Sequence, residues 1–261
     1  MIRNAVDRIT ALLAIAMGYA AVSMDPRSKS NFHLGSKSNF HLGRFLRNAA
    51  IIAAVIGCAT WFWFGYLRDR VVAKRFGEVT PSVFRSGMIS EHVIPRVLDE
   101  NGIQCIIDLT EREWQPERKI AERAAAKERG VEIREYPLVG DGTGSVDAYV
   151  AAVKDLIAAD VTGRKTLVHC AGGSYRTGGV IATFRMLRQG WSPEDALDEA
   201  RRYKWNPSDV ILPNYLSDHI DEIRARLIAD GSLPADAPRP VVPRRNGPAV
   251  EIDRETERNS K

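Results

Sequence analysis

Lys165-Thr166-Leu167-Val168-His169-Cys170-Ala171-Gly172-Gly173-Ser174-Tyr175-Arg176-Thr177-Gly178 carries an apolar strand-like run through a glycine-bearing loop into a helical segment. Its core is Cys170, five intervening residues and Arg176. A thiolate is a strong nucleophile, and a free thiol near pKa 8.5 must be lowered to supply one. A loop that enters a helix N-terminus directs backbone N–H groups inward, with the helix dipole behind them, which makes an anion nest. On this reading Ala171, Gly172, Gly173, Ser174, Tyr175 and Arg176 form the anion-binding loop. Gly172 and Gly173 let the backbone curl, and Arg176 presents a bidentate fork to phosphate oxygens. Thr177 donates its hydroxyl to the Cys170 sulfur, and Gly178 permits close packing of the new helix. His169 is expected to hydrogen-bond backbone groups behind the loop, and Tyr175 to line the mouth of the pocket.

Working outward, strand-like and helical segments alternate. Val79 to Arg85, Ile103 to Leu109, Val131 to Leu138 and Lys165 to His169 read as strands. Ile94 to Glu100, Pro116 to Arg129, Ser145 to Ala159 (opened by a Ser145 cap) and stretches over about 176–189, 193–203 and 211–229 read as helices. This alternation predicts an α/β layer around a sheet. The loop Gly140-Asp141-Gly142-Thr143-Gly144 lies between the second-last strand and the Ser145 helix. Residues 231–261, with Pro234, Pro238, Pro240, Pro243 and Pro248 among charges, read as a disordered tail.

Composition is that of a globular chain: 261 residues, 44% hydrophobic and 27% charged, with a net charge of +4 that is scattered rather than striped. Nucleic-acid binding is therefore not expected. Of the three cysteines, Cys58 and Cys105 read as small buried hydrophobes, and no Cys/His spacing suits zinc.

Residues 48–67 hold no charge between Arg47 and Arg68. Twenty helical residues reach about 30 Å, a bilayer core, and Trp61, Phe62, Trp63, Phe64 and Tyr66 cluster as an interfacial belt does. A membrane-spanning helix is expected there, with a buried core helix as the competing reading. Ile9 to Val22 is a shorter apolar stretch, either a signal-type h-region or translated leader. Ser-Lys-Ser-Asn-Phe-His-Leu-Gly occurs twice, at 28–35 and 36–43, and is read as a recent duplication in an N-terminal arm over 1–47. Basic residues flank both ends of the span, so charge does not fix its orientation.

The loop His-Cys-x2-Gly-x2-Arg-Thr-Gly at 169–178 resembles the signature of cysteine-dependent protein tyrosine phosphatases, in their small dual-specificity branch. Val79-Thr80-Pro81-Ser82-Val83-Phe84-Arg85-Ser86-Gly87 is similar to that family's opening strand, Ile106-Ile107-Asp108-Leu109 to its central strand, and Gln189 to Glu199 to the helix pair behind the loop. The resemblance covers about 78–228 and is greatest to exported or membrane-tethered bacterial members. It implies a dual-specificity-phosphatase-like α/β fold, a central mostly parallel sheet flanked by helices, over a domain at 71–230, preceded by the transmembrane helix. It implies phosphate-ester hydrolysis through a phosphocysteine on Cys170, without metal or cofactor. It also implies a general acid on the loop after the preceding strand, which makes Asp141 the candidate and Asp147 the reserve. A Gly-flanked turn aspartate is the plain alternative for Asp141. Arg85 is placed to reach the phosphate loop from the opening strand, with a structural ion pair or hydrogen bonds as the favoured reading, and Asp108 is read as holding neighbouring loops.

Relatives that act on phosphoinositides carry lysines inside this loop, where the present chain has Ala171 and Ser174. That argues for singly phosphorylated protein substrates of mixed specificity. A signal-anchor reading of the span, with the resemblance to exported phosphatases, places the domain in the periplasm of a bacterial inner membrane. The competing readings are a non-catalytic phosphate-binding module, a phosphoinositide phosphatase, and a sulfurtransferase, whose loop has four residues between Cys and Arg.

Overall fold

The computed structural model describes residues 38–111 and 115–247. The leader-like stretch, the first octapeptide copy and residues 248–261 of the expected tail lie outside them. The chain divides into two units at Gly57–Cys58, inside the first helix, α1 (Ser38–Phe62). The helix continues through a π-helical turn, Trp63–Leu67, and a last turn, Arg68–Val71. Gly43–Leu67 is long and apolar enough to cross a membrane, and Ile51, Ile52, Val55 and Ile56 are all more than half exposed. That exposure argues against the core-helix reading, because a core helix would bury those side chains. Cys58, expected to be buried, is exposed on this helix.

The second unit follows the expected alternation: β1 (Gly77–Thr80), β2 (Val83–Gly87), α2 (Ile94–Asn101), β3 (Cys105–Asp108), α3 (Pro116–Glu128), β4 (Glu132–Glu135), α4 (Val146–Thr162), β5 (Thr166–Cys170), α5 (Tyr175–Gln189), α6 (Pro193–Arg202) and α7 (Ile211–Ala229). The five strands lie in the order β1-β2-β5-β3-β4, parallel except for the β1–β2 hairpin. That hairpin corrects the single strand expected over Val79–Arg85. Pro81 has no N–H to give a ladder, and the Thr80 hydroxyl accepts the Val83 N–H at 3.1 Å, so the chain turns between them.

Parallel strands with helices on both faces are buried on both sides, and successive side chains alternate between them. Val83, Ile107, Val168 and Cys170 pack into one core, which also holds buried residues of α4, α5 and α7. Phe84, Ile106 and Leu167 pack into the other, which holds buried residues of α2 and α3. The alternation sends Cys170 toward α5 and its neighbour His169 toward α3.

Residues 231–247 do not behave as the disordered tail expected of them. Leu233, Ala237 and Val242 are buried in the first core, and the Arg224 guanidinium of α7 binds the carbonyls of Ala235, Ala237 and Pro238. Proline removes donors rather than acceptors. One arginine therefore satisfies the strap's carbonyls while its spaced apolar residues anchor it.

Candidate active site

Cys170 ends β5, and Tyr175 opens α5. Ser174, at the helix cap, makes no side-chain cap bond and instead gives its hydroxyl to the Tyr203 carbonyl at 2.7 Å. The Ser174 hydroxyl therefore takes none of the N–H groups at the start of α5. Cys170 and Arg176 are both 2% exposed and sit at the carboxyl ends of the parallel strands, where open α/β sheets bind ligands.

The loop between them is shaped from outside. The Ala171 carbonyl accepts the Met88 N–H at 3.2 Å, the Gly172 carbonyl accepts Arg75 Nη1, and the Gly173 carbonyl accepts Arg85 Nη2 at 3.1 Å. A trans peptide is planar, with its C=O and N–H opposed. Three carbonyls held outward therefore turn the N–H groups of Gly172, Gly173 and Ser174 inward. The Gly173 N–H reaches the Cys170 sulfur at 3.1 Å. Gly173 has φ +74°, and a Cβ there would meet the Gly87 nitrogen at 2.5 Å, so no other residue fits.

Burial pushes the Cys170 thiol up. The Arg176 charge, the Thr177 hydroxyl and the N–H groups of Thr177 and Gly173 outweigh it, and the net shift is downward. The Thr177 hydroxyl is fully buried with no conventional hydrogen-bond partner, which leaves its proton for the sulfur. The structure thus brings Cys170, Thr177 and Gly173 together. Gly178 packs as anticipated, since a Cβ there would stand 3.2 Å from that of Ala200. Tyr175 is half-buried beside Asn206 and Asp209. Burial and the Asp209 charge raise its hydroxyl, against an opposing bond to the Asn206 backbone.

Arg85 is fully buried. Besides the Gly173 carbonyl, it faces Glu199 at 3.9 Å and lies 3.7 Å from the Tyr203 ring centre. Burial lowers its pKa to about 10, against the opposing charge of Glu199. Its structural reading holds, but the structure gives it a loop carbonyl as well as an ion pair.

Behind the nucleophile, His169 differs from expectation. It meets the Glu122 carboxylate of α3 at 3.1 Å rather than backbone groups, because alternation points it to the α3 side. Asp108 lies beside it, bonded to Thr110 and, at 2.9 Å, to Lys119. Burial alone would lower His169. The charge and hydrogen bond of Glu122, with the charges of Asp108 and Cys170, raise it to about 9. Asp108 is penalised by burial but held below its usual range by His169, Thr110 and Lys119. Asp108, Glu122 and His169 offer donor atoms within 4.8 Å of one another. The Lys119 ammonium already pairs with Asp108 and His169 with Glu122, so the group reads as an ion cluster. The helical spacing 119, 122, 126 was the available signal, since it puts two charges in the inward stripe with Ala126.

Asp141 sits in a turn whose Oδ1 accepts the Thr143 N–H at 2.9 Å and its hydroxyl at 2.7 Å. Tyr149, on α4, donates to the Gly142 carbonyl. A Cβ on Gly142 would stand 3.1 Å from the Tyr175 carbonyl, and one on Gly179 would strike the Tyr149 hydroxyl. The Asp141 loop is thereby latched to the start of α5. Tyr149 is raised by burial first, then by the charges of Tyr215, Asp141 and Cys170. Asp147 is elsewhere in its bonding: its exposed carboxylate pairs with Arg226 of α7. Arg75, Glu122 and Tyr149 are the site residues that sequence reasoning missed.

A sequence model described as the tyrosine phosphatase family matches residues 70–227. Among solved structures, the core catalytic domain of the PP-IP phosphatase SIW14 from S. cerevisiae is 20% identical, covers 63% of this chain and 97% of its own, and superposes with a TM-score of 0.50. P. aeruginosa TpbA is 20% identical over 59% of this chain and 91% of its own, with a TM-score of 0.48. Tk-PTP, in its active form, is 24% identical over 58% of this chain and 97% of its own, with a TM-score of 0.47. No curated protein matches in sequence.

Proposed function

This chain belongs to the tyrosine phosphatase family, and from that premise we propose that it hydrolyses phosphate monoesters of proteins through a phosphocysteine on Cys170. The observation that carries the reading is the Gly173 N–H on the Cys170 sulfur, within a loop whose Ala171, Gly172 and Gly173 carbonyls are held by outside donors. The thiolate attacks phosphorus while Arg176 and the inward N–H groups hold the non-bridging oxygens. As the ester P–O bond breaks, Asp141 gives its proton to the leaving oxygen. Water then attacks the phosphocysteine, Asp141 takes a proton back, and inorganic phosphate leaves with the thiolate restored. Both bonds within the Asp141 turn fall on Oδ1, so Oδ2 is the oxygen that carries the proton.

Ala171 and Ser174 leave the loop neutral apart from Arg176, which favours singly phosphorylated substrates: phosphotyrosine together with phosphoserine or phosphothreonine. The yeast neighbour's description as a PP-IP phosphatase sets the competing substrate class. The anchor is the span within Gly43–Leu67, the one helix among the described residues long and apolar enough to cross a membrane, holding the domain on the periplasmic side of a bacterial inner membrane. A periplasm-dependent reporter fused after Lys261 should be active, and an inactive but expressed fusion reverses the orientation.

The test is hydrolysis of p-nitrophenyl phosphate, phosphotyrosyl and phosphoseryl peptides and a short-chain phosphoinositide by the full chain in detergent micelles. Cys170→Ser should lose at least about a thousandfold in kcat. Equal activity of the two proteins would sink the phosphocysteine, and faster turnover of the phosphoinositide would replace the protein substrate.

A further inference from the structure

We infer that Arg75, in the segment that follows the apolar span, is a positioning residue of the nucleophile loop, holding the Gly172 carbonyl outward so that the Gly173 N–H is aimed at the Cys170 sulfur. The inference rests on the phosphatase reading and adds to it a residue outside the signature.

Both ends of one peptide unit are accounted for. The carbonyl of the Gly172–Gly173 peptide accepts Arg75 Nη1, and its N–H donates to the sulfur at 3.1 Å. Because the unit is planar and trans, fixing the oxygen fixes the direction of the N–H. A cation on the oxygen also polarises the peptide and strengthens its donor. Arg85 does the same for the next peptide from a fully buried position, whereas Arg75 is only part-buried and comes from outside the sheet.

The backbone bringing Arg75 there is strained and pinned. Its φ is +50°, a left-handed conformation that a bulky side chain adopts only when its surroundings impose it. Those surroundings are on both sides. The Arg96 guanidinium holds the Val71 carbonyl at 2.7 Å, the Lys74 carbonyl accepts the Gly87 N–H at 2.7 Å, and Phe76 stacks on Phe84 at 5.8 Å. Gly87 in turn packs against the loop, where a Cβ would stand 2.9 Å from the Gly172 oxygen. The arginine feels the nucleophile as well. Burial lowers its pKa first, and the Cys170 charge opposes that shift, with Arg68 acting in the lowering direction.

The experiment compares the full chain in detergent micelles with Arg75→Gly and Arg75→Lys. Glycine takes the left-handed conformation without strain, so Arg75→Gly removes the clamp while leaving the backbone at ease. Three quantities are read: kcat/KM for p-nitrophenyl phosphate, the inhibition constant of orthovanadate, and the pH dependence of Cys170 alkylation by iodoacetamide. Arg75→Gly should lower kcat/KM and weaken vanadate about tenfold, and move the alkylation limb to higher pH, with an unchanged or higher melting temperature. Arg75→Lys should recover part of each loss through its single donor group.

The other groups acting on Cys170 are Arg176 and Thr177 of α5, His169 of β5, Arg85 of β2 and Tyr149 of α4, and all are common to the three proteins. Wild-type kinetics and a wild-type alkylation profile in Arg75→Gly overturn the inference. So does a lowered melting temperature with no recovery in Arg75→Lys, which would make Arg75 merely structural. A wild-type chain that turns over no phosphate ester defeats the phosphatase reading instead, and the alkylation profile still reports on the clamp.

Discussion

Two loops meet at the start of α5, and they are held in opposite ways. The Cys170 loop is fixed from outside, by Arg75 and Arg85 at sequence separations of 97 and 88 residues and by the Met88 N–H. The Asp141 loop is closed largely on itself: Thr143 bonds Asp141, Gly142 N–H bonds the Val139 carbonyl, and Val139 N–H bonds the Thr143 carbonyl. Among the described residues, its hydrogen bonds to helix side chains are those of Tyr149 and Tyr215 to the carbonyls of Gly142 and Gly144. A Cys170 loop built into the whole domain is preorganised for the role proposed for it and cannot re-aim without disturbing the core. A turn closed mainly on itself has fewer distant ties to break than the Cys170 loop, which suits the proton-transfer role proposed for Asp141.

The largest expected effect tests the second half of that contrast. Asp141→Asn removes the proton but keeps the acceptor for Thr143. It should lower kcat for a phosphotyrosyl peptide by about a hundred- to a thousandfold. The loss should be smaller for p-nitrophenyl phosphate, whose leaving group needs less protonation. An equal loss on both substrates would mean that the loop supports binding and not proton transfer.

The next effect tests how far the rigidity of the Cys170 side reaches. His169 is raised from 6.5 to about 9 by Glu122 and Asp108, so the stability it contributes is fully present below pH 6.5 and lost as pH rises through about 9. Cys170 runs the other way: its pKa is depressed from 9.0, so its contribution is present above pH 9 and lost as pH falls through the folded value. The measurement is therefore made in Cys170→Ser, which silences the second trend. In that background, urea midpoints of the full chain in micelles should still fall as pH rises above 6.5, through Glu122 and Asp108, by less than the roughly 3 kcal/mol of the full shift because the Cys170 charge that helps raise His169 is gone. Adding Glu122→Gln should remove most of that decline, because His169 then has one carboxylate fewer to charge against. A pH slope unchanged by Glu122→Gln would detach α3 from the nucleophile.

The same contrast explains what could be read before the structure. The Cys170–Arg176 loop was legible because its spacing, glycines and flanking strand are local. The alternation of elements was legible because each buried strand or amphipathic helix declares its own period. The partners that shape the loop were not. Arg75 reads as one more basic residue after an apolar span, and nothing local says that its backbone turns left-handed. Glu122 looks like part of a charged surface helix until α3 is laid on the sheet face that receives His169. The strap at 231–247 was hidden by its prolines, whose compositional signal of disorder outweighs three spaced apolar residues that find a groove only once α7 is in place.

The smallest effect falls on the residue that sequence spacing could not separate from the acid. Asp147 lies in the first turn of α4, where its charge faces the positive end of the helix dipole, and its side chain is 80% exposed while pairing with Arg226. An exposed ion pair of this kind contributes little to stability. Its carboxylate is turned to α7, whereas the Asp141 loop is latched by Tyr149 to the residues that begin α5. Asp147→Asn should therefore keep kcat within about twofold of wild type on every substrate and lower the melting temperature by no more than about 1 °C. Measured beside Asp141→Asn on one phosphotyrosyl peptide, it ranks the two carboxylates directly. A larger loss from Asp147→Asn would move the acid onto a rigid helix and erase the difference between the two loops.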